Sequence, residues 1–184
     1  AAVWVITQSA PETGRFELTF PWFRGLAVNL GWFYVPFAMV VIAGASNAVN
    51  LSDGLDGLAS GLLIVSFLVF AVIAYACGTE MSAAVGLTPV AHSAEIVVVC
   101  AAVVGGCVGF LWFNAPPARV FMGDTGSLAL GALLGTVSVM TRHEILLAVV
   151  GGVFVVEALS VMIQVAYFRK TGRRFFKMAP VHHH

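Results

Sequence analysis

Long apolar runs separated by short polar stretches set the pattern of this 184-residue chain. The first full run, from Trp32 to Val49, has 18 residues; at 1.5 Å rise per residue it spans about 27 Å, close to the ~30 Å of a bilayer's hydrocarbon. Further runs at 60–77, 94–114, 128–141 and 145–168 predict four more helices, the one at 128–141 somewhat short. Gly105, Gly106 and Gly109 in the third run suit close helix packing. Before the first run the period changes. Arg15 to Phe20 and Leu26 to Leu30 alternate apolar and polar residues, which predicts a short extramembrane hairpin near 15–30. An irregular interfacial loop anchored by Trp22, Phe23 and Trp32 fits the same residues almost as well. Gly78 to Ser93, with Glu80, Thr88-Pro89 and His92, reads as a loop or surface helix, and Arg142-His143-Glu144 as a tight turn.

Composition turns this pattern into a class. The chain is 60% hydrophobic and 10% charged, with mean hydropathy +0.97, against roughly 45–50% apolar and ~25% charged in soluble domains. The expected fold is an all-α polytopic membrane protein, with residues 1–184 forming a single transmembrane domain of about five helices. Zero net charge gives no support for nucleic-acid binding. Cys77, Cys100 and Cys107 lie in or beside apolar runs without metal-ligand spacing, and read as small buried hydrophobes.

The polar loops carry the candidate chemistry. The chain has three aspartates, and all lie in two glycine-rich loops: Asp53 and Asp56 in Asn50-Leu51-Ser52-Asp53-Gly54-Leu55-Asp56-Gly57, and Asp124 in Phe121-Met122-Gly123-Asp124-Thr125-Gly126-Ser127. Carboxylates beside hydrocarbon are expensive unless water, a cation or a ligand receives them. With alternating spans, both loops and the C-terminal tail share one membrane face. That face holds Arg119, Arg169, Lys170, Arg173, Arg174 and Lys177, against Arg15, Arg24 and Arg142 on the other. The lysine and arginine bias makes the aspartate face cytoplasmic.

Carboxylates, histidines and cations at such a face suit a Mg²⁺-assisted reaction on phosphates, because Mg²⁺ takes one or two protein carboxylates together with substrate phosphate oxygens. Gly123 entering a helix leaves free N–H donors for an anion. Helix capping alone also accounts for the Asp53/Asp56 pair and for Asp124, and a helix stop for Asn114-Ala115-Pro116-Pro117. On composition alone, His182-His183-His184 equally suits the start of a tag. Glu157 inside the fifth run is harder to assign to structure, with Gln164 on nearly the same helix face.

Asn47 to Ala59 resembles the signature of the polyprenyl-phosphate N-acetylhexosamine-1-phosphate transferases, and Phe113 to Ser127 resembles their second block. Ala179-Pro180-Val181-His182-His183-His184 is similar to the triple-histidine motif of the phospho-N-acetylmuramoyl-pentapeptide branch, which argues against a tag. The likeness extends over essentially the whole chain, Val155 to Val161 included. It implies transfer of phospho-MurNAc-pentapeptide from UDP-MurNAc-pentapeptide to undecaprenyl phosphate, giving lipid I and UMP in peptidoglycan synthesis at the bacterial cytoplasmic (inner) membrane. Mg²⁺ is the implied cofactor, with Asp124 as its ligand. Asp53, His183 and His184 are implied in catalysis beside Asp124. Asn50, Asp56, Asn114, Phe121, Gly123, Gln164 and His182 are implied in substrate binding, with Phe121 stacking on uracil and Asp56 near it. The family is dimeric, has ten transmembrane helices and carries a periplasmic hairpin matching Arg15 to Leu30.

The departures are absences. The family's adjacent aspartate pair and conserved lysine from its N-terminal half have no counterpart here, so the chain is expected to be the C-terminal part of a larger transferase and inactive alone. A CDP-alcohol phosphotransferase would continue its D-x-x-D-G to an arginine and two further aspartates, whereas Gly57-Leu58-Ala59-Ser60-Gly61 runs into an apolar helix. An intramembrane aspartyl protease needs glycine where Phe121 stands. A transporter would place its acids mid-span, as Glu157 alone does. A sister transferase moving GlcNAc-1-phosphate is the nearest alternative, and the Pro180-Val181-His182-His183-His184 ending favours the muramoyl branch.

Overall fold

The computed structural model describes residues 16–20 and 27–180. Seven α-helices are present among them: α1 (Tyr34–Ser52), α2 (Leu58–Cys77), α3 (Met81–Val85), α4 (Ile96–Asn114), α5 (Gly123–Met140), α6 (Glu144–Val150) and α7 (Gly152–Thr171). One hairpin precedes them, β1 (Glu17–Thr19) antiparallel to β2 (Ala27–Asn29), with Leu18 opposite Val28. The chain is an all-α polytopic membrane protein with a small extramembrane ribbon, as the run pattern predicts.

Four segments are long and apolar enough to cross a membrane: Gly31–Ser52, Leu58–Cys77, Ser93–Asn114 and Gly152–Thr171. Two expectations shift. The helix expected at 128–141 begins at Gly123, and its polar first turn leaves α5 outside the group of four. The helix expected at 145–168 is two, α6 and α7, interrupted at Gly151.

The bundle is built from two antiparallel pairs. α1 packs along α5, and α2 along α4. The α1–α5 contact is close because glycines replace side chains along it. A Cβ at Gly131 would lie 2.7 Å from the Ala45 carbonyl oxygen and 2.8 Å from Ser46 Cα; one at Gly135 would lie 2.9 Å from Ile42 Cα. Between helices in lipid, where no hydrophobic drive favours association, such close backbone approach supplies dispersion contact. Ser46 adds a bond, its hydroxyl donating to the Leu128 carbonyl at 2.8 Å. On α2, Leu63, Phe67 and Phe70 are fully buried and fill the centre with Cys100, Leu134 and Val137.

Hydrogen bonds fix which ends meet. Tyr34, opening α1, donates to Glu144, opening α6, so α6 and α7 run parallel to α1 towards its Ser52 end. Ser60, in the first turn of α2, meets Asn114, the last residue of α4. The loops at 53–57 and 115–122, and the end of α7, therefore gather at one face of the bundle, while the hairpin and the 141–144 turn lie at the other.

At the hairpin face, the expected turn at 142–144 is present, and residues 141–144 are all buried. Thr19 of β1 donates to the Arg142 carbonyl at 2.6 Å, and Arg142 itself sits at φ +58°. His143 Nδ1 lies 2.5 Å from the Thr141 carbonyl, and burial lowers the affinity of that imidazole for a second proton. Short hairpin strands are weak alone; here the ribbon is tied to the bundle through this turn.

Candidate functional site

The 53–57 loop is set by the end of α1. Ser52 is buried and donates back to the Ala48 carbonyl at 3.0 Å, and Asp53 leaves helical geometry at φ −83°, ψ +36°. Gly57 then takes φ +75°, where a side chain would be strained and its Cβ would stand 3.2 Å from Leu111 Cδ1. This glycine lets α2 start against the end of α4.

Asn114 joins the two loops. Its Oδ1 accepts from the Gly57 amide at 3.1 Å and from the Ser60 hydroxyl at 2.8 Å, while its Nδ2 donates to the Val120 carbonyl at 2.9 Å. The residue is 3% exposed. Its carbonyl oxygen and one N–H of its amide are thus committed within the protein, and its position is that of a rivet under the loops. Asp56 makes a second tie, its Oδ2 accepting from the Ala118 amide at 2.9 Å.

Asp53, Asp124 and Asn50 form the centre of the site. Asn50 Nδ2 donates to Asp124 Oδ1 and to the Ser127 hydroxyl, both at 2.9 Å. Ser127, wholly buried, donates its own hydroxyl hydrogen bond to the Gly123 carbonyl at 2.9 Å. The Gly123 amide donates to the Asp53 carboxylate. Partial burial lifts the Asp53 carboxyl above its ordinary range, the Gly123 bond opposes this, and the neighbouring Asp124 charge adds to the rise. Asp124 is exposed, and it lies in the first turn of α5, where the helix dipole favours negative charge.

Beside this centre, Phe121 is 71% exposed and lies in the loop three residues before Asp124. Arg119 is also exposed, and its amide donates to the Phe113 carbonyl. Gln164 is engaged elsewhere: its Oε1 accepts from the amides of Phe175 and Phe176 at 3.1 and 2.8 Å, folding the segment after α7 back on the helix. His182, His183 and His184 lie outside the described residues.

The donors suit a hard cation. Among the described residues no three carboxylate, imidazole or thiol groups converge as a metal cage. The Asp53 and Asp124 charges repel one another, and Mg²⁺ takes one or two carboxylates and completes its shell with phosphate oxygens and water. The first-turn amides of α5 after Gly123 add an anion-binding element next to them.

The sequence matches the description "Glycosyl transferase family 4" over residues 1–142, well over half of the chain. The chain belongs to glycosyl transferase family 4. It is 51% identical over 183 residues to a phospho-N-acetylmuramoyl-pentapeptide-transferase of Pelagibacter ubique (strain HTCC1062), covering 99% of this chain and 51% of that protein. It is 54% identical over 183 residues to the protein of the same name from Caulobacter sp. (strain K31), covering 98% of this chain and 49% of the relative. The chain thus spans about half the length of the curated relatives it matches.

Both aspartate loops fall inside the region that matches family 4. Sequence reasoning alone does not single out Ser127 or Ser60. Buried hydroxyls on small-residue helix faces leave no periodicity signal, and their roles become visible through the partners they hold, Asn50 and Asn114.

Proposed function

We propose that this chain supplies the nucleotide- and metal-holding part of a transferase. That enzyme moves phospho-MurNAc-pentapeptide from UDP-MurNAc-pentapeptide to undecaprenyl phosphate, releasing UMP and forming lipid I. The names of the two relatives support the reaction class. The observation that carries the reading onto this chain is the Asn50–Asp124 contact with Asp53 bound to the next residue, Gly123. Two carboxylates from two different loops are held at one point beside a helix N-terminus.

Asp124 and Asp53 would hold Mg²⁺, which when bound offsets the negative charge of the diphosphate. Asn50 fixes the rotamer of Asp124, so that Oδ2 stays free to face the ligand. The amides that open α5 receive phosphate oxygens. Phe121 presents a ring face for the uracil base, and Asp56 holds the 115–122 loop that carries that ring. Gln164 positions the segment leading to His182, His183 and His184, which stand for the phosphate or sugar side. The aspartate face is the cytoplasmic one on lysine and arginine placement, the active enzyme is a homodimer, and this chain alone is inactive.

The test joins this chain to the segment of the Caulobacter relative that it does not cover, in nanodiscs with undecaprenyl phosphate and Mg²⁺. UMP release from UDP-MurNAc-pentapeptide, lost in Asp124→Asn, is the expected result. Release from UDP-GlcNAc instead would move the chain to the sister GlcNAc-1-phosphate branch and overturn the donor assignment.

A further inference from the structure

The face opposite the aspartate site holds a polar cluster that the proposed reaction leaves unused. Tyr34, Thr141, Arg142, His143 and Glu144 are all buried there, beside the β1–β2 ribbon. Glu144 Oε1 accepts from the Tyr34 hydroxyl. Its other oxygen, Oε2, has no hydrogen-bond partner, and neither has Arg142 Nη2. These are the two buried side-chain polar atoms without a partner among the described residues. They do not pair with each other: the one ion pair among the described residues is His92–Glu95.

The ribbon is fastened at two points, and both lead to this carboxyl. Thr19 donates to the Arg142 carbonyl at 2.6 Å. Phe16, whose carbonyl accepts the Leu30 amide at 2.8 Å, packs edge-on against Tyr34 with ring centroids 6.4 Å apart. Ribbon, Tyr34, Glu144 and Arg142 thus form a closed ring of contacts. Within it Arg142 sits at φ +58°, an uncommon conformation for a residue with a side chain. On its other side Glu144 meets apolar groups. It is the one charged residue lining a groove of about 410 Å³, with Val40, Leu147 and Phe154 among its neighbours there. The remaining titratable groups near it are few. His143 keeps its Nδ1 at the Thr141 carbonyl and 4.0 Å from Cys77 Sγ, Glu17 shares the Thr19 face of β1, and the near half of α7 brings Glu157.

A neutral carboxyl suits this setting. An ionised one does not, because a buried carboxylate needs more than a single donor. Burial accordingly lifts the Glu144 carboxyl to about 7. Arg142 carries a charge that could receive the carboxylate, but Thr19 holds its carbonyl in place. We propose that the β1–β2 ribbon is a proton-operated lid. It is closed over the 141–144 turn while Glu144 is neutral, and it lifts when Glu144 ionises, as Arg142 leaves Thr19 to pair with Glu144 Oε2. In the lifted form water reaches the carboxyl, which returns towards its ordinary 4.5. Closure is therefore complete below 4.5, is lost as pH rises to about 7, and changes no further above that.

The experiment is hydrogen–deuterium exchange of the full chain in detergent across pH, with each amide corrected for its intrinsic exchange rate. Protection of the Glu17–Thr19 and Ala27–Asn29 amides is expected to fall roughly fiftyfold between about pH 5 and about pH 7.5, then level off. Glu144→Gln, neutral at every pH, keeps the ribbon protected and removes the step. Tyr34→Phe removes a bond that lowers the Glu144 value, so the step extends to higher pH. This second variant decides the matter should Glu144→Gln lose its helical circular dichroism. A step that persists in Glu144→Gln would assign it to His143 or Glu17 and overturn the proposal. So would ribbon protection independent of pH, or a step unmoved in Tyr34→Phe. An equal fall among the α2 and α4 amides would also overturn it, since the whole bundle and not the ribbon would then be opening.

Discussion

Asn50 Nδ2 lies 2.9 Å from Asp124 Oδ1, joining the last turn of α1 to the first turn of α5 across 74 residues of sequence. The bond does two things. It closes the polar end of the α1–α5 pair, and it leaves Asp124 one oxygen for a ligand while its charge acts on Asp53. Asp124→Asn removes that charge, so the Asp53 carboxyl is expected to titrate lower, towards its ordinary 3.8. The protonated-carboxyl band in infrared titration reads this directly, and an unchanged midpoint would mean that burial alone raises Asp53.

Divalent-cation binding is expected to fall with acidification at a higher pH than for ordinary carboxylates, since protons compete for a group whose affinity for them is raised. Measuring Mn²⁺ binding by electron paramagnetic resonance across pH checks this. Affinity independent of pH below neutrality would remove Asp53 from the cation site.

The α1–α5 approach depends on glycine at one position and not at another. Gly131→Ala places a Cβ 2.7–2.9 Å from Ala45, Ser46 and Val49, two of these contacts being backbone, so the helices must move apart. Gly44→Ala, in open space, meets nothing within 4 Å. A loss of about 1–3 kcal/mol is expected for the first and none beyond helix propensity for the second. Unfolding midpoints in detergent compare them.

Asn114 is a structural rivet before it is a ligand. Asn114→Ala leaves the buried Ser60 hydroxyl and the Gly57 amide without their acceptor, at a cost of about 1–3 kcal/mol for each group left unpaired. Faster proteolysis within 115–122 is the expected readout. Unchanged cleavage would show that the loops are held by other contacts.

At the opposite face, burial lifts the Glu144 carboxyl to about 7, against the opposing effects of the Tyr34 hydroxyl and the Arg142 charge. Its folded value exceeds the ordinary 4.5, so the stability it contributes is fully present below 4.5 and is lost as pH rises through about 7. Glu144→Gln should flatten that slope in thermal unfolding. A slope that persists would assign it to another group.

The helices were legible because apolar runs of bilayer length admit few other structures, and of the two readings that the 15–30 stretch left open, hairpin or irregular loop, β1 and β2 form the hairpin. The aspartate face was legible because carboxylates are too costly in lipid to be scattered. Other features were not. The break at Gly151 lies inside a continuous apolar run, where glycine pairs equally suit close packing. Arg142-His143-Glu144 reads as a tight turn, but nothing local shows that it is buried, with Thr19 and Tyr34, more than 100 residues away, packed on it. Asn114 reads locally as a helix stop, and its three partners come from segments whose meeting no local pattern encodes.

The most direct measurement of the central claim is UMP release by this chain joined to the uncovered half of its Caulobacter relative, with UDP-MurNAc-pentapeptide, undecaprenyl phosphate and Mg²⁺, beside its Asp124→Asn form. The account predicts UMP from the joined protein, with a loss of at least about a hundredfold in the variant, the order of removing one electrostatic stabiliser of developing charge. Equal UMP release from the Asp124→Asn form would contradict it.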